Sequence, residues 1–154
     1  MANDIANQVT ASVARFNEVV RRSVKVNEKN FATVQRKVAL TALQHVVMAT
    51  PVDTGRARGN WQTTISRLPV TALNFGGQMS KGDESIREAN KAAATQKAVN
   101  EGTNMILSTN DPFVILYLTN NVHYIKRLEE GSSKKQAPHG MVRKTLKRLE
   151  RMFK

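Results

Sequence analysis

Between residues 50 and 61 the chain reads Thr50-Pro51-Val52-Asp53-Thr54-Gly55-Arg56-Ala57-Arg58-Gly59-Asn60-Trp61, and no other stretch limits the fold as strongly. Thr50-Pro51 stops a helix, because the proline ring crowds the α conformation of the residue before it. The Asp53 carboxylate is placed to accept from nearby backbone N–H groups, and Gly55 provides a turn free of Cβ restriction. From Arg56 the alternation predicts a strand, with Trp61 and Ile65 on one face and Arg58, Asn60 and Gln62 on the other. The expected object is a helix–turn–strand corner with two arginines, Arg56 and Arg58, at its exit.

A second marked stretch lies near the other end, where Tyr124 is followed by Glu129 and Gly131, and Pro138 to Arg143 lead into a terminal helix. Taken with Thr54-Gly55-Arg56 after Pro51, this order resembles the tail-completion or neck proteins of long-tailed bacteriophages, the minor tail component family that joins head to tail. In that family a proline and then Thr-Gly-Arg open the first strand after a long helix. A tyrosine, a glutamate five residues on and a glycine two further precede the C-terminal helix. The resemblance covers roughly residues 35–65 and 113–150. This chain departs from the family where Pro138 is followed by His139 and Gly140 instead of an aromatic residue.

A chain of 154 residues is expected to form a single domain with one modest core. Cysteine is absent, which excludes disulfides and thiolate metal sites and accords with a reducing compartment. No apolar run approaches the ~20 residues that span a bilayer. The opening Met1-Ala2-Asn3-Asp4 lacks the basic-then-apolar layout of a signal peptide. The formal charge of +12 is uneven: residues 1–50 carry a net +4, residues 51–125 a net +1 and residues 126–154 a net +7. A basic end so concentrated calls for an anionic partner, whether nucleic acid, a membrane surface or an acidic protein patch.

Hydrophobic periodicity predicts an α+β order. Ile5, Val9, Val13, Phe16, Val20 and Val24 recur at helical spacing, the pattern breaks over Asn27 to Asn30, and Phe31, Val34, Val38, Leu43, Val46 and Val47 resume it. This first third, residues 1–50, is either two helices or one long helix with a bend. Residues 51–131 form the expected sheet region. Within it Pro69 to Lys81 reads as a loop with a flexible Gly76-Gly77 pair. An inserted helix follows over about 83–99, with Ser85 and Glu88 spaced for a capping box and an apolar face thin enough for a surface flap or inter-subunit contact. Met105–Ser108 and Phe113–Leu118 flank the turn Thr109-Asn110-Asp111-Pro112 and read as an antiparallel hairpin. Phe113–Leu118 is apolar on both faces and is expected to be covered on both sides. Asn120-Asn121 then turn into a short helix with Ile125 and Leu128 inward, ended by Gly131. After a basic linker through Lys134 and Lys135, the terminal helix is expected over 138–154. Val142, Leu146, Leu149 and Phe153 form its packed stripe, with Arg143, Lys144, Lys147, Arg148 and Arg151 opposite.

Catalytic chemistry is nearly absent from the sequence. His45, His123 and His139 are far apart and have no acids at metal-ligand spacing, so no metal is expected. His123 beside Tyr124 has no accompanying nucleophile. Gly55 and Gly59 lack the Lys-Ser/Thr of a phosphate loop. The expectation is a non-enzymatic protein without catalytic residues or a cofactor. Nucleic-acid binding through the basic helix is the alternative, a small cytoplasmic DNA-binding protein, although one Trp and two Tyr make no stacking platform.

The resemblance implies N-terminal α-helices packed on a small antiparallel β-sheet with a C-terminal basic amphipathic helix. It implies a virion structural protein of the head–tail junction, assembled in the host cytoplasm and ringing the DNA channel. A hexamer is favoured because phage tails are sixfold. Its partners would be further copies of itself, the adjoining connector and tail-terminator rings, and the genomic DNA in the channel, with no membrane. In this picture Pro51, Asp53, Gly55, Arg56 and Trp61 form the structural corner, and Arg58, Tyr124, Glu129 and Gly131 are ring or partner contacts. Lys134, Lys135, Arg143, Lys144, Lys147, Arg148 and Arg151 make the face toward an anionic partner.

Overall fold

A computed structural model describes residues 2–75 and 83–152, those up to residue 12 by backbone alone. Gly76-Gly77 and Phe153 lie outside the described residues, as do the side chains of Ile5 and Val9. The fold is mixed: five helices and one two-stranded antiparallel sheet among the described residues. Helix α1 spans Ala2–Ala49 and is followed by the single turn α2, Arg56–Gly59. Strand β1 is Trp61–Ile65, α3 is Glu84–Leu107 and β2 is Leu116–Asn120. The short α4, Ile125–Glu129, and α5, Val142–Met152, complete the chain.

Helix α1 is continuous, so the break expected over Asn27–Asn30 does not interrupt the backbone. Asparagine lowers helix propensity by only a few tenths of a kcal/mol, about 0.7 at most, too little to end a helix with favourable neighbours on both sides. Its stop comes where expected: α1 ends at Ala49 and Thr50-Pro51 leave the helix. Gly55 then adopts φ 78° and ψ −11°, the left-handed turn that the corner required of a residue without Cβ.

Beyond Gly55 the expected strand is replaced by a turn of helix. Gly59 N–H donates to the Gly55 carbonyl at 2.8 Å, and Asn60 Nδ2 donates to the Arg56 carbonyl at 2.7 Å. The strand begins only at Trp61. The alternation that predicted Arg58 and Asn60 on a polar face is therefore overturned, and both are buried. Asp53 is exposed and its carboxylate accepts no backbone hydrogen bond among the described residues; the corner is held differently. Val52 exchanges two hydrogen bonds with the Gln136 side chain, at 2.8 and 3.1 Å, which ties it to the distant C-terminal loop.

The core lies where the last third of α1 meets α3 and the sheet. Leu43, Val46 and Val47 pack with Trp61, Ala98, Ile106 and Met141. Helix α3 is capped by Asp83, whose carboxylate accepts from Ile86 N–H at 3.2 Å, so the Ser85–Glu88 capping box is not formed. The helix also runs to Leu107, making Met105–Ser108 its last turn and not a strand. The cause is a buried row at every fourth position, Asn90, Ala94, Ala98, Gly102 and Ile106, whose middle three residues are small. A Cβ on Gly102 would lie 2.6 Å from Leu43 Cδ2, so α3 approaches α1 closely. The thin apolar face is thus a close-packing seam and not a surface flap.

The real partner of β2 is β1, with Trp61 opposite Asn120 and Ile65 opposite Leu116. The turn after Thr109 exists, Phe113 N–H donating to Asp111 Oδ1 at 2.9 Å, but it joins α3 to β2. Phe113 and Ile115 are exposed, so this segment is not covered on both sides within the chain. No helix among the described residues is long and apolar enough to cross a membrane.

Two variants probe the corner. Gly55→Val should lower unfolding free energy by about 1–3 kcal/mol, because a β-branched residue is strained at this φ. Arg58→Lys should lower it by a similar amount, about 1–3 kcal/mol, because an ammonium cannot replace the forked guanidinium described below. Urea unfolding of each variant against the parent chain measures both.

Candidate interaction surfaces

The two stretches that mark the sequence each tie down a helix end. Arg58 is 5% exposed, and its guanidinium reaches back to the end of α1. Nε and Nη2 donate to the Thr50 carbonyl at 3.1 and 2.7 Å, Nη2 to the Met48 carbonyl at 3.0 Å, and Nη1 to Thr95 Oγ1 at 3.2 Å. The last carbonyls of a helix have no partner within it, and the helix dipole makes that end negative. Burial pushes the Arg58 pKa down and the Glu88 charge pushes it up; the net direction is down. Thr50 Oγ1 donates to the Val46 carbonyl at 2.6 Å and accepts from Trp61 Nε1 at 2.8 Å, which seats Trp61 beside the cap. Arg58 is therefore an internal clamp, and the ring contact expected of it has no exposed side chain to use.

Against this corner stands the Tyr124–Gly131 stretch. Asn120 Nδ2 donates to the Ala57 carbonyl at 2.6 Å. Tyr124 is half-buried, its ring edge-on to His123 with centroids 5.0 Å apart. Burial raises the pKa of its hydroxyl, and the charges of Arg56 and Asp53 act on it from the corner.

Glu129 also works inside the chain. Its carboxylate accepts from the N–H groups of Met141, Val142 and Arg143 at 2.7, 2.8 and 3.0 Å, and from Arg143 Nε at 3.3 Å. It thus caps α5 from twelve residues upstream. Gly131, at φ 89°, ends α4, and a Cβ there would meet the Pro138 carbonyl oxygen at 2.5 Å. Gly140, at φ 76°, has the Glu129 carbonyl oxygen where a Cβ would have to sit. Sequence reasoning missed Gly140; a glycine closing a loop before a helix was the available signal. Glu129 and Gly131 are accordingly structural in the folded chain.

Because Glu129 must cap the helix, α5 starts at Val142 and not at Pro138. Its packed side also differs from expectation. Met141 and Thr145 are buried and Leu149 is half-buried, whereas Val142 and Leu146 are 38% and 52% exposed. The helix lies against α1 along the Met141–Thr145 line, about one residue round from the expected stripe. That rotation sets Lys144, Arg148 and Arg151 beside His45, Met48 and Ala49, around a groove of ≈450 Å³. Burial and then the nearby Arg148 lower the His45 pKa, so this histidine resists adding charge to the cluster. Lys134 and Lys135 are exposed on the preceding loop, and Arg143 is partly committed to Glu129.

Two exposed surfaces stand out among the described residues. One is the basic groove between α1 and α5. The other is the N-terminal part of α1, where every described side chain from Val13 to Asn27 is exposed, valines and Phe16 included. Among the described residues no three acids or histidines gather as a metal site. No family model, curated protein or solved structure matches the chain.

The cap at Glu129 gives a pH dependence. Burial opposes its charge, but three backbone N–H groups and Arg143 outweigh that and hold its pKa below the ordinary carboxylate value. A depressed folded pKa stabilises the fold above the unfolded pKa, about 4.3, and the contribution is lost as pH falls through the folded value. Glu129→Gln should therefore cost about 1–2 kcal/mol at pH 7 and show a shallower fall in stability below about pH 4.5. Denaturant unfolding across that pH range measures the difference.

Proposed function

We propose that this protein is a non-enzymatic structural protein of a bacteriophage head–tail junction. It forms a ring around the DNA channel and joins the head connector to the tail, with a hexamer favoured. The observation that carries this reading is the convergence of the two separated stretches of the resemblance. Thr50 to Trp61 and Tyr124 to Gly131 lie far apart in sequence, yet Ile125 and Leu128 pack against the core cluster that holds Trp61, and the residues flanking the second stretch, Asn120 and Gln136, bond to Ala57 and Val52. Shared motifs that act on one another are a stronger basis for kinship than two motifs in unrelated places.

In this reading the packed body is the scaffold and the exposed surfaces make the joints. Lys144, Lys147, Arg148 and Arg151 form the docking face for an acidic ring or for DNA phosphates. Each docking step supplies the surface for the next, so order of assembly follows from geometry without chemistry. Self-repulsion of chains carrying +12 each opposes ring closure in isolation and favours closure on an anionic partner.

Mass spectrometry of purified particles tests the assignment, because a junction protein is present at a fixed, small copy number. Absence from particles, together with salt-sensitive retardation of naked DNA, would instead establish the small DNA-binding protein. Replacing Lys144, Lys147, Arg148 and Arg151 by glutamine should leave the melting transition nearly unchanged and weaken docking to the partner complex, measured by co-sedimentation.

A further inference from the structure

Helix α1 is 48 residues long, about 72 Å, far more than its own body can cover. Val13, Phe16, Val20, Val24, Phe31 and Val34 follow one another in steps of three and four, with Asn27 filling the one gap. At 3.6 residues per turn all of them share one face. The least exposed of the six, Val20, is still 42% open. Steps of three and four are the spacing of a helix–helix seam, so the shape that fits this face is another helix. Valine-rich helices owe their stability to packing and little to propensity, so the arm needs a cover.

The flanks of the row identify that cover. Arg21 and Glu28 lie on one side of the stripe, and Val19 and Val26 lie on the other, 61% and 58% exposed. Two copies of this helix packed parallel would set the charged flank of each against the valine flank of its mate. Packed antiparallel, each flank meets its own kind: Arg21 faces Glu28 and Val19 faces Val26. We propose that the arm is covered by the arm of a second copy of this chain, antiparallel across a two-fold axis near Val24. In that register Val13 lies opposite Val34 of the second copy and Phe16 opposite its Phe31.

The same register accounts for another open feature. It carries the first turns of the second copy's α1 to an apolar groove of ≈480 Å³ beside Val38 and Ala42, walled by Val114 to Leu118. A contact running about 60 Å along each helix and about 10 Å wide buries on the order of 1,200 Å² over both copies, the lower end of what stable interfaces use. The pairing goes beyond the virion reading and does not depend on it, since it concerns the free protein in either case.

Because the chain has no cysteine, single thiols report the register directly. The unmodified chain should sediment as a dimer at tens of micromolar. Full-length Val13→Cys mixed with full-length Val34→Cys should form a disulfide-linked heterodimer on mild oxidation, while neither links to itself. Arg21→Glu or Glu28→Arg alone should weaken the dimer roughly tenfold, and the two together in one chain should restore it. A folded monomer at these concentrations overturns the proposal, as does self-linking of Val13→Cys. A dimer unaffected by either single charge reversal overturns the antiparallel register.

Discussion

Everything in the body of this protein hangs on a guanidinium buried at the end of a helix. Arg58 meets the last carbonyls of α1 with three of its donors and Thr95 of α3 with another, so one side chain locks the helix, the corner and α3 together. A buried charge is tolerable when it is fully hydrogen-bonded and lies in a favourable field, here the negative end of a long helix. The position of Trp61 follows from it, since the indole bonds to Thr50, whose carbonyl Arg58 holds. From Trp61 the pairing of β1 with β2 is set, and with it the side of the sheet on which α3 lies.

The second junction uses the opposite charge at the opposite end of a helix. Glu129 at the start of α5 mirrors Arg58 at the end of α1, and both come from outside the helix they cap. Each is allowed by glycines in left-handed turns, Gly55 for the first and Gly131 with Gly140 for the second. The four residues that resemblance marked as contacts thus divide: Arg58, Glu129 and Gly131 hold the fold, and Tyr124 is half-buried between the two junctions.

Local chemistry was legible in the sequence where it acts through its own backbone. The Thr50-Pro51 stop, the Gly55 turn and the Gly131 helix end all lie where the residues placed them. Errors arose where tertiary contacts outrank local pattern. Arg56–Asn60 alternates like a strand, yet one helical turn lets Arg58 reach α1, and that gain decides. Met105–Ser108 looks apolar enough for a strand, yet the buried seam of α3 continues through Ile106. The rotation of α5 could not be read from its own stripe either, because Glu129, outside the helix, fixes where it starts.

The same tie points set when the chain can fold. Leu43, Val46 and Val47 leave the ribosome early, but their partners Ala98, Ile106 and Met141 come much later. The clamp on α1 needs Thr95, and the cover over Val52 needs Gln136. During synthesis, therefore, the first helix waits with its core face uncovered until nearly the whole polypeptide has emerged, and its arm stays uncovered even in the folded single chain. Such a nascent chain is exposed to chaperones for most of its translation, and a truncated product could not acquire the native core at all.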